Sequence, residues 1–170
     1  VRIDSSPPLN VAPPWWEEAL NGLSTPAAVI EALRELHETN ARQWHLEDRV
    51  RQAPDDQIPA IKRQIDAHNR QRHGLIERID ERLAGLWAET AEGPPLSESI
   101  GSALDRLSIL TLRIANSVQA SAAKGTALER QRADLVSALR KNRGDLVEGL
   151  RRAPDHRRFK QYDSAPSGRS

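Results

Sequence analysis

Between Asn40 and Arg49 the chain reads N-A-R-Q-W-H-L-E-D-R, and its amide, indole and carboxylates stand where a helix is expected to offer aliphatic side chains to a core. Val29, Leu33 and Leu36 mark one helical face at steps of three and four, and the same steps continue to Asn40, Trp44 and Glu47, with Asp48 alongside. Buried polar groups cost free energy unless partnered. A core stripe that turns polar midway is therefore a satisfied network, a pocket wall or a face turned elsewhere.

The pattern recurs downstream. From Ile65 the helical step passes through Asn69 and Arg72 before reaching Ile76, with Asp66, His73, Glu77 and Asp80 on or beside the adjoining line. Farther on, Asp105 and Arg106 precede Leu107-Ser108-Ile109-Leu110 at the edge of the most apolar segment. If these levels coincide, Asn40, Trp44, Glu47, Asp48, Asn69, Arg72 and Asp105 converge. Glu47, Asp48 and Asp105 are then the candidates for acid-base or magnesium-binding roles. Arg72, with Arg106 next to Asp105, would hold an anion through planar guanidinium donors, Asn40 and Asn69 would each donate and accept, and Trp44 would offer a flat wall. That describes a pocket for a small anionic, sugar-like or nucleotide-like molecule. The competing reading is architectural: an arginine, carboxylate and amide network that sets helix register and binds nothing.

Metal chemistry finds less support. His37, His45, His68 and His73 fall in helical segments, but the chain contains neither Glu-x-x-His nor His-Glu-x-x-His, so no transition-metal site is expected. Magnesium needs only oxygen ligands and water, and Glu47, Asp48, Glu77 and Asp80 are the set that would supply them. Glu35-x-x-Glu38 and Glu77-x-x-Asp80 resemble the carboxylate pairs of all-helical nucleotide pyrophosphohydrolases, but they stand too far apart for that pattern, and a solvated face is expected. There is no nucleophile elbow and no phosphate-binding glycine loop.

The chain has 25 Lys and Arg against 24 Asp and Glu, so its net charge of +1 provides no overall field toward nucleic acid or anionic membrane. The locally basic end, Arg151-Arg152 through Arg157-Arg158 and Lys160, is read as a solvated tail rather than a nucleic-acid contact. Cysteine is absent, which removes disulfides, thiolate zinc sites and cysteine nucleophiles. No apolar run approaches the roughly 20 residues that span a bilayer, and Val1 to Pro14 lacks the order of a secretory signal. A cytoplasmic protein with no membrane partner is expected.

Aromatics make up 4% of residues and charged side chains 29%, a composition that favours helix over sheet. The expected fold is all-α: an antiparallel bundle of four long helices with a short N-terminal helix bearing tryptophans. Residues 1–13, rich in proline, form an extended arm, 14–153 the bundle and 154–170 a disordered basic tail. The short helix runs from about Pro14 to Leu23 and presents Trp15, Trp16, Ala19 and Leu20 to the bundle or to a second subunit. Ser24-Thr25-Pro26 caps the first long helix, which meets no breaker before Pro54. The second runs from Pro59 to about Ala91 along Ile61, Ile65, Ile76, Ile79, Leu83 and Leu86. Ser97 and Glu98 restart the chain into the third and most central one, along Ile100, Leu104, Leu107, Leu110, Ile114 and Val118. A turn at Lys124-Gly125-Thr126 precedes the fourth, along Leu128, Leu135, Val136, Leu139, Leu146, Val147 and Leu150. Broad apolar faces on such helices, and the frequency of twofold assemblies, lead us to expect a homodimer.

Asn40-x-x-x-Trp44-His45-x-Glu47-Asp48, Ile65-Asp66-x-x-Asn69-x-x-Arg72 with Ile79-Asp80, and Asp105-Arg106-Leu107-Ser108-Ile109-Leu110 together resemble a bacterial all-helical family, a domain of unknown function often encoded beside glycosyltransferase and cell-envelope polysaccharide genes. The resemblance spans about Leu36 to Ile114. It departs at Arg113, where the pattern has Lys, and near His73 and Gly74, where it has Asn. The resemblance implies a helical fold and a sugar or nucleotide-sugar context. Two functions follow as expectations: small-molecule binding by the polar cluster, with or without catalysis, or a non-catalytic accessory partnering a glycosyltransferase or other biosynthetic enzyme.

Overall fold

The computed structural model describes residues 15–117 and 122–154, with side chains in the last segment from 125 onward. The expected arm, Val118 and the tail beyond Pro154 lie outside them. The described regular structure is helical: α1 (Glu17–Leu20), α2 (Ala27–Val50), α3 (Ile58–Ala84), α4 (Ile100–Ser117) and α5 (Ala122–Val147). An isolated bridge joins Pro95 to Arg152, and no strand occurs among the described residues.

The α2 and α3 helices form an antiparallel hairpin. Leu46 clusters with Ile61 and Ile65 near the turn, and Glu35 accepts from Gln71 and Arg78 farther along. The hydroxyl cap expected from Ser24-Thr25-Pro26 is not made. Pro26 stands at the N-cap of α2, and the Thr25 hydroxyl instead turns back onto the Leu23 carbonyl. The α3 helix stops at Ala84, short of the expected Ala91, and the chain then crosses to the far end of α5, where the Ala88 amide donates to Leu146. Its buried stripe is Ile61, Ile65, Leu75, Ile79 and Leu83. Ile76, expected in that stripe, lies one residue off and is half-buried. Stepping back from Leu75 by three and then four residues lands on Arg72 and His68, so those two occupy inward positions.

The start of α4 is set by Ser99 rather than Ser97. Its hydroxyl accepts the Ser102 amide at 3.0 Å, and Asp80 of α3 accepts the Gly101 amide at 2.7 Å, so two of the four free N-terminal donors are satisfied. Gly101 fits because α4 approaches α3 closely; a Cβ there would lie 2.8 Å from the Ile76 carbonyl oxygen. Helix α4 packs on α2, α3 and α5, the central place expected for it. Among the described helices, the α5 backbone approaches α4 and α1. It runs antiparallel to α4, since Leu146 shares a small cavity with Ile100 while Leu135 lines a groove with Leu110. Gly125 sits inside α5 instead of in a turn, and Val147 and Leu150, expected in its stripe, are exposed.

The expected N-terminal helix shrinks to four residues, with both tryptophans just before it. Asn21 adopts an extended conformation and Gly22 a positive φ of 79°, which ends the turn. Trp15, Trp16, Ala19 and Leu20 are buried in the main core with Leu33, Leu36, Ile79 and Leu104, so this face packs on the chain's own helices. The carbonyls at the end of α1 are taken by α5: Arg140 Nε donates to Glu18 at 2.7 Å, and Arg143 Nη1 to Asn21 at 2.8 Å and Ala19 at 3.2 Å. No helix among the described residues is long and apolar enough to cross a membrane.

Candidate functional site

Where α4 crosses the α2–α3 hairpin, five polar side chains from three helices form one network. Arg72 grips Asp105 with two nearly parallel hydrogen bonds, Nε to Oδ1 at 2.8 Å and Nη2 to Oδ2 at 2.6 Å. Asn40 adds a third donor to the same carboxylate, Nδ2 to Oδ1 at 3.0 Å, and also donates to Ser108 Oγ at 3.1 Å. Ser108 in turn lies 2.8 Å from His37 Nδ1. The His37 ring is stacked under Trp15, with centroids 5.4 Å apart and planes 28° from parallel. Asn40 must turn its NH2 group toward Asp105, because its carbonyl there would set two acceptors together.

Position on the helices explains the meeting. Asn40 continues the Val29, Leu33, Leu36 stripe, and Arg72 continues the Leu75, Ile79, Leu83 stripe. Asp105 and Ser108 stand three apart on α4, on the side that meets α2 and α3. The surroundings are dry. Asp105 is 2% exposed, Ser108 0% and Asn40 5%. The Arg72 guanidinium beside Asp105 is held even more firmly protonated than usual, with its hydrogen bonds as the main cause and burial opposing them. Burial pushes His37 below the usual histidine pKa. A neutral His37 is the form that suits the enclosed place between Ser108 and Trp15.

The order Asp105, Asn40, Ser108, His37 is not that of a nucleophilic triad. The carboxylate orients an amide and an arginine rather than the imidazole, and Ser108 Oγ is sealed from any substrate. Three of the expected site residues, Asn40, Arg72 and Asp105, are thus brought together. The others are not in the network. Glu47 is exposed, and Asp48 pairs one turn along its own helix with Arg51 at 3.2 Å. Arg106 follows Asp105 by about 100° around the helix and reaches Glu98 at 2.5 Å on the outer face. Trp44 and Asn69 are half-buried and make no side-chain hydrogen bond among the described residues.

The four carboxylates considered for magnesium do not assemble. Glu47 and Asp48 lie toward the turn of the α2–α3 hairpin, while Glu77 and Asp80 lie roughly 20 Å back along it at 1.5 Å per residue. Among the described residues no group of three or more histidine or acidic side chains is placed to hold a metal ion. Two network members, His37 and Ser108, were not assigned to the cluster from sequence, His37 having been weighed only as a metal ligand. The signal that finds them is their spacing: His37 precedes Asn40 by three residues, and Ser108 follows Asp105 by three.

No curated protein and no solved structure matches the chain. A family model does, over residues 30–154, a span that takes in most of α2, all of α3 to α5 and all five side chains of the network. The chain therefore belongs to the family described as "Protein of unknown function (DUF4254)".

Proposed function

We propose that this protein is a non-catalytic helical scaffold, a cytoplasmic accessory to a glycosyltransferase or other biosynthetic enzyme, and that its polar network sets the register of the helices that form the docking faces. The observation that carries this reading is the closure of the network. Asn40, Asp105 and Ser108 spend their hydrogen bonds on each other, Arg72 and His37, and are shut away from solvent. A ligand site keeps convergent polar groups open to a cavity, whereas a buried network whose charges are paired within it specifies how helices fit together. The frame it sets is the antiparallel arrangement of four long helices, and the partner class follows from the family resemblance.

One observation favours the alternative, a small anionic or sugar-like ligand. The Arg72 side chain is 23% exposed and spends Nε and Nη2 on Asp105, which leaves Nη1 without a hydrogen bond among the described residues. Against this, the charge that would attract the anion is already matched by Asp105. A thermal-shift screen of nucleotide sugars, nucleotides and divalent ions on the purified chain decides between them. The scaffold reading expects no stabilisation by any of them at millimolar concentration. A rise in melting temperature that saturates with ligand and disappears in Arg72→Met overturns it.

A further inference from the structure

The outer side of the α4–α5 pair carries a groove of about 500 Å³. Arg106, Ile109, Leu110 and Arg113 line it from α4, at helical steps of three and four. From α5 come Gln131, Asp134, Leu135 and Ala138, at the same steps. The floor is apolar, with Leu110 buried and Ile109 and Leu135 half-buried. The rim is charged. Arg106 is already satisfied by Glu98, but Arg113 on one wall and Asp134 on the other are exposed and have no partner among the described residues.

We infer that this groove is a self-association face and that its occupant is a second copy of the chain. The argument is the placement of the two unpaired charges. Antiparallel packing that sets Ile100 beside Leu146 and Leu110 beside Leu135 puts Arg113 within about half a helical turn of the level of Asp134, one on each helix and within reach of a long arginine side chain. A twofold axis lying in the face and parallel to the helices keeps each residue at its level while exchanging the helices. It therefore lays Arg113 on the partner's Asp134, and Asp134 on the partner's Arg113, with the Ile109 and Leu135 strips between them. A closed twofold contact requires such a self-complementary patch. Among the described helices the α5 backbone approaches only α4 and α1, and Gln131, Asp134 and Ala138 on this wall are exposed to a partner. Charge pairs at the edge of an apolar strip fix register and exclude other alignments.

The test is the mass of the full chain in solution by light scattering and sedimentation, from micromolar to hundreds of micromolar. The wild-type chain is expected to be dimeric. Arg113→Glu and Asp134→Lys each place like charges opposite one another twice per dimer, and each should raise the dissociation constant at least tenfold. The double variant Arg113→Glu/Asp134→Lys restores opposite charges and should return the dimer. Circular dichroism confirms folding, and both side chains are exposed, so neither reversal disturbs the core. A monomeric wild-type chain overturns the inference, as does a dimer that survives both single reversals or that the double variant fails to rescue. None of these outcomes bears on whether the buried network binds a small molecule.

Discussion

Two stretches of the α2–α3 hairpin carry similar side chains and treat them in opposite ways. Under α4, the amide of Asn40 and the guanidinium of Arg72 are locked into a dry network with Asp105 and Ser108 of that helix. Toward the turn, Glu47 and Asp48 face water, and the inward positions are filled by Leu46, Ile61 and Ile65, with Val50 and Ala53 packed against them. The difference is cover. Helix α4 meets α2 around His37 and Asn40, and two turns farther on the apolar cluster among the described residues is drawn from the hairpin and its turn. A carboxylate's role in this fold is set by which helix lies over it, not by its neighbours in sequence.

The largest expected effect tests that difference directly. Asp105→Ala removes the acceptor of three hydrogen bonds and leaves Arg72 facing a cavity, which should cost about 3–5 kcal/mol. The urea midpoint should fall accordingly with little change in slope. A loss below about 1 kcal/mol would mean that α4 finds its register by apolar packing alone.

His37 sharpens the comparison through pH. Its folded-state pKa is depressed by burial from the ordinary value of 6.5, so the unfolded chain binds the proton more readily. The stability it contributes is therefore fully present above about pH 6.5 and is lost as the pH falls below that value. Replacing His37 by Gln keeps a hydrogen-bonding group for Ser108 and removes the titration. Denaturation curves taken downward from pH 7 should fall less steeply in His37→Gln than in the wild type, by up to about 1.4 kcal/mol per pH unit, the limit for one proton. Parallel pH profiles would show that the ring titrates alike in both states.

The smallest effect belongs to the uncovered end. Glu47→Gln and Asp48→Asn should each change stability by no more than about 0.5 kcal/mol, since one side chain is solvated and the other makes only an exposed pair with Arg51. A loss of 2 kcal/mol at either position would reveal a partner for that surface.

This contrast also marks how far the site could be read from residue order. Asn40, Arg72 and Asp105 were legible because a polar group at an inward helical step requires partners, and the available partners are of opposite charge or complementary hydrogen bonding. Glu47 satisfies the same step but is exposed, and how far one helix covers another leaves no trace in the spacing of either. Ser108 and His37 were overlooked because a single serine in an apolar helix and a single helical histidine are ordinary. Their meaning comes from the crossing, which brings together residues 71 apart in the chain. The all-helical class followed from composition and periodicity. The short length of α1 did not, because the extended Asn21 and the left-handed Gly22 that close it are local backbone choices.

The arginine grip on α1 has a consequence for how the molecule is made. Arg143 holds the Ala19 carbonyl across 124 residues of chain, and a helix of four residues has no stability of its own in water. On the ribosome, Trp15 and Trp16 therefore emerge long before the arginines that fasten them exist. Until α5 is synthesised, the nascent chain carries two large unseated indoles, the kind of surface that chaperones shield.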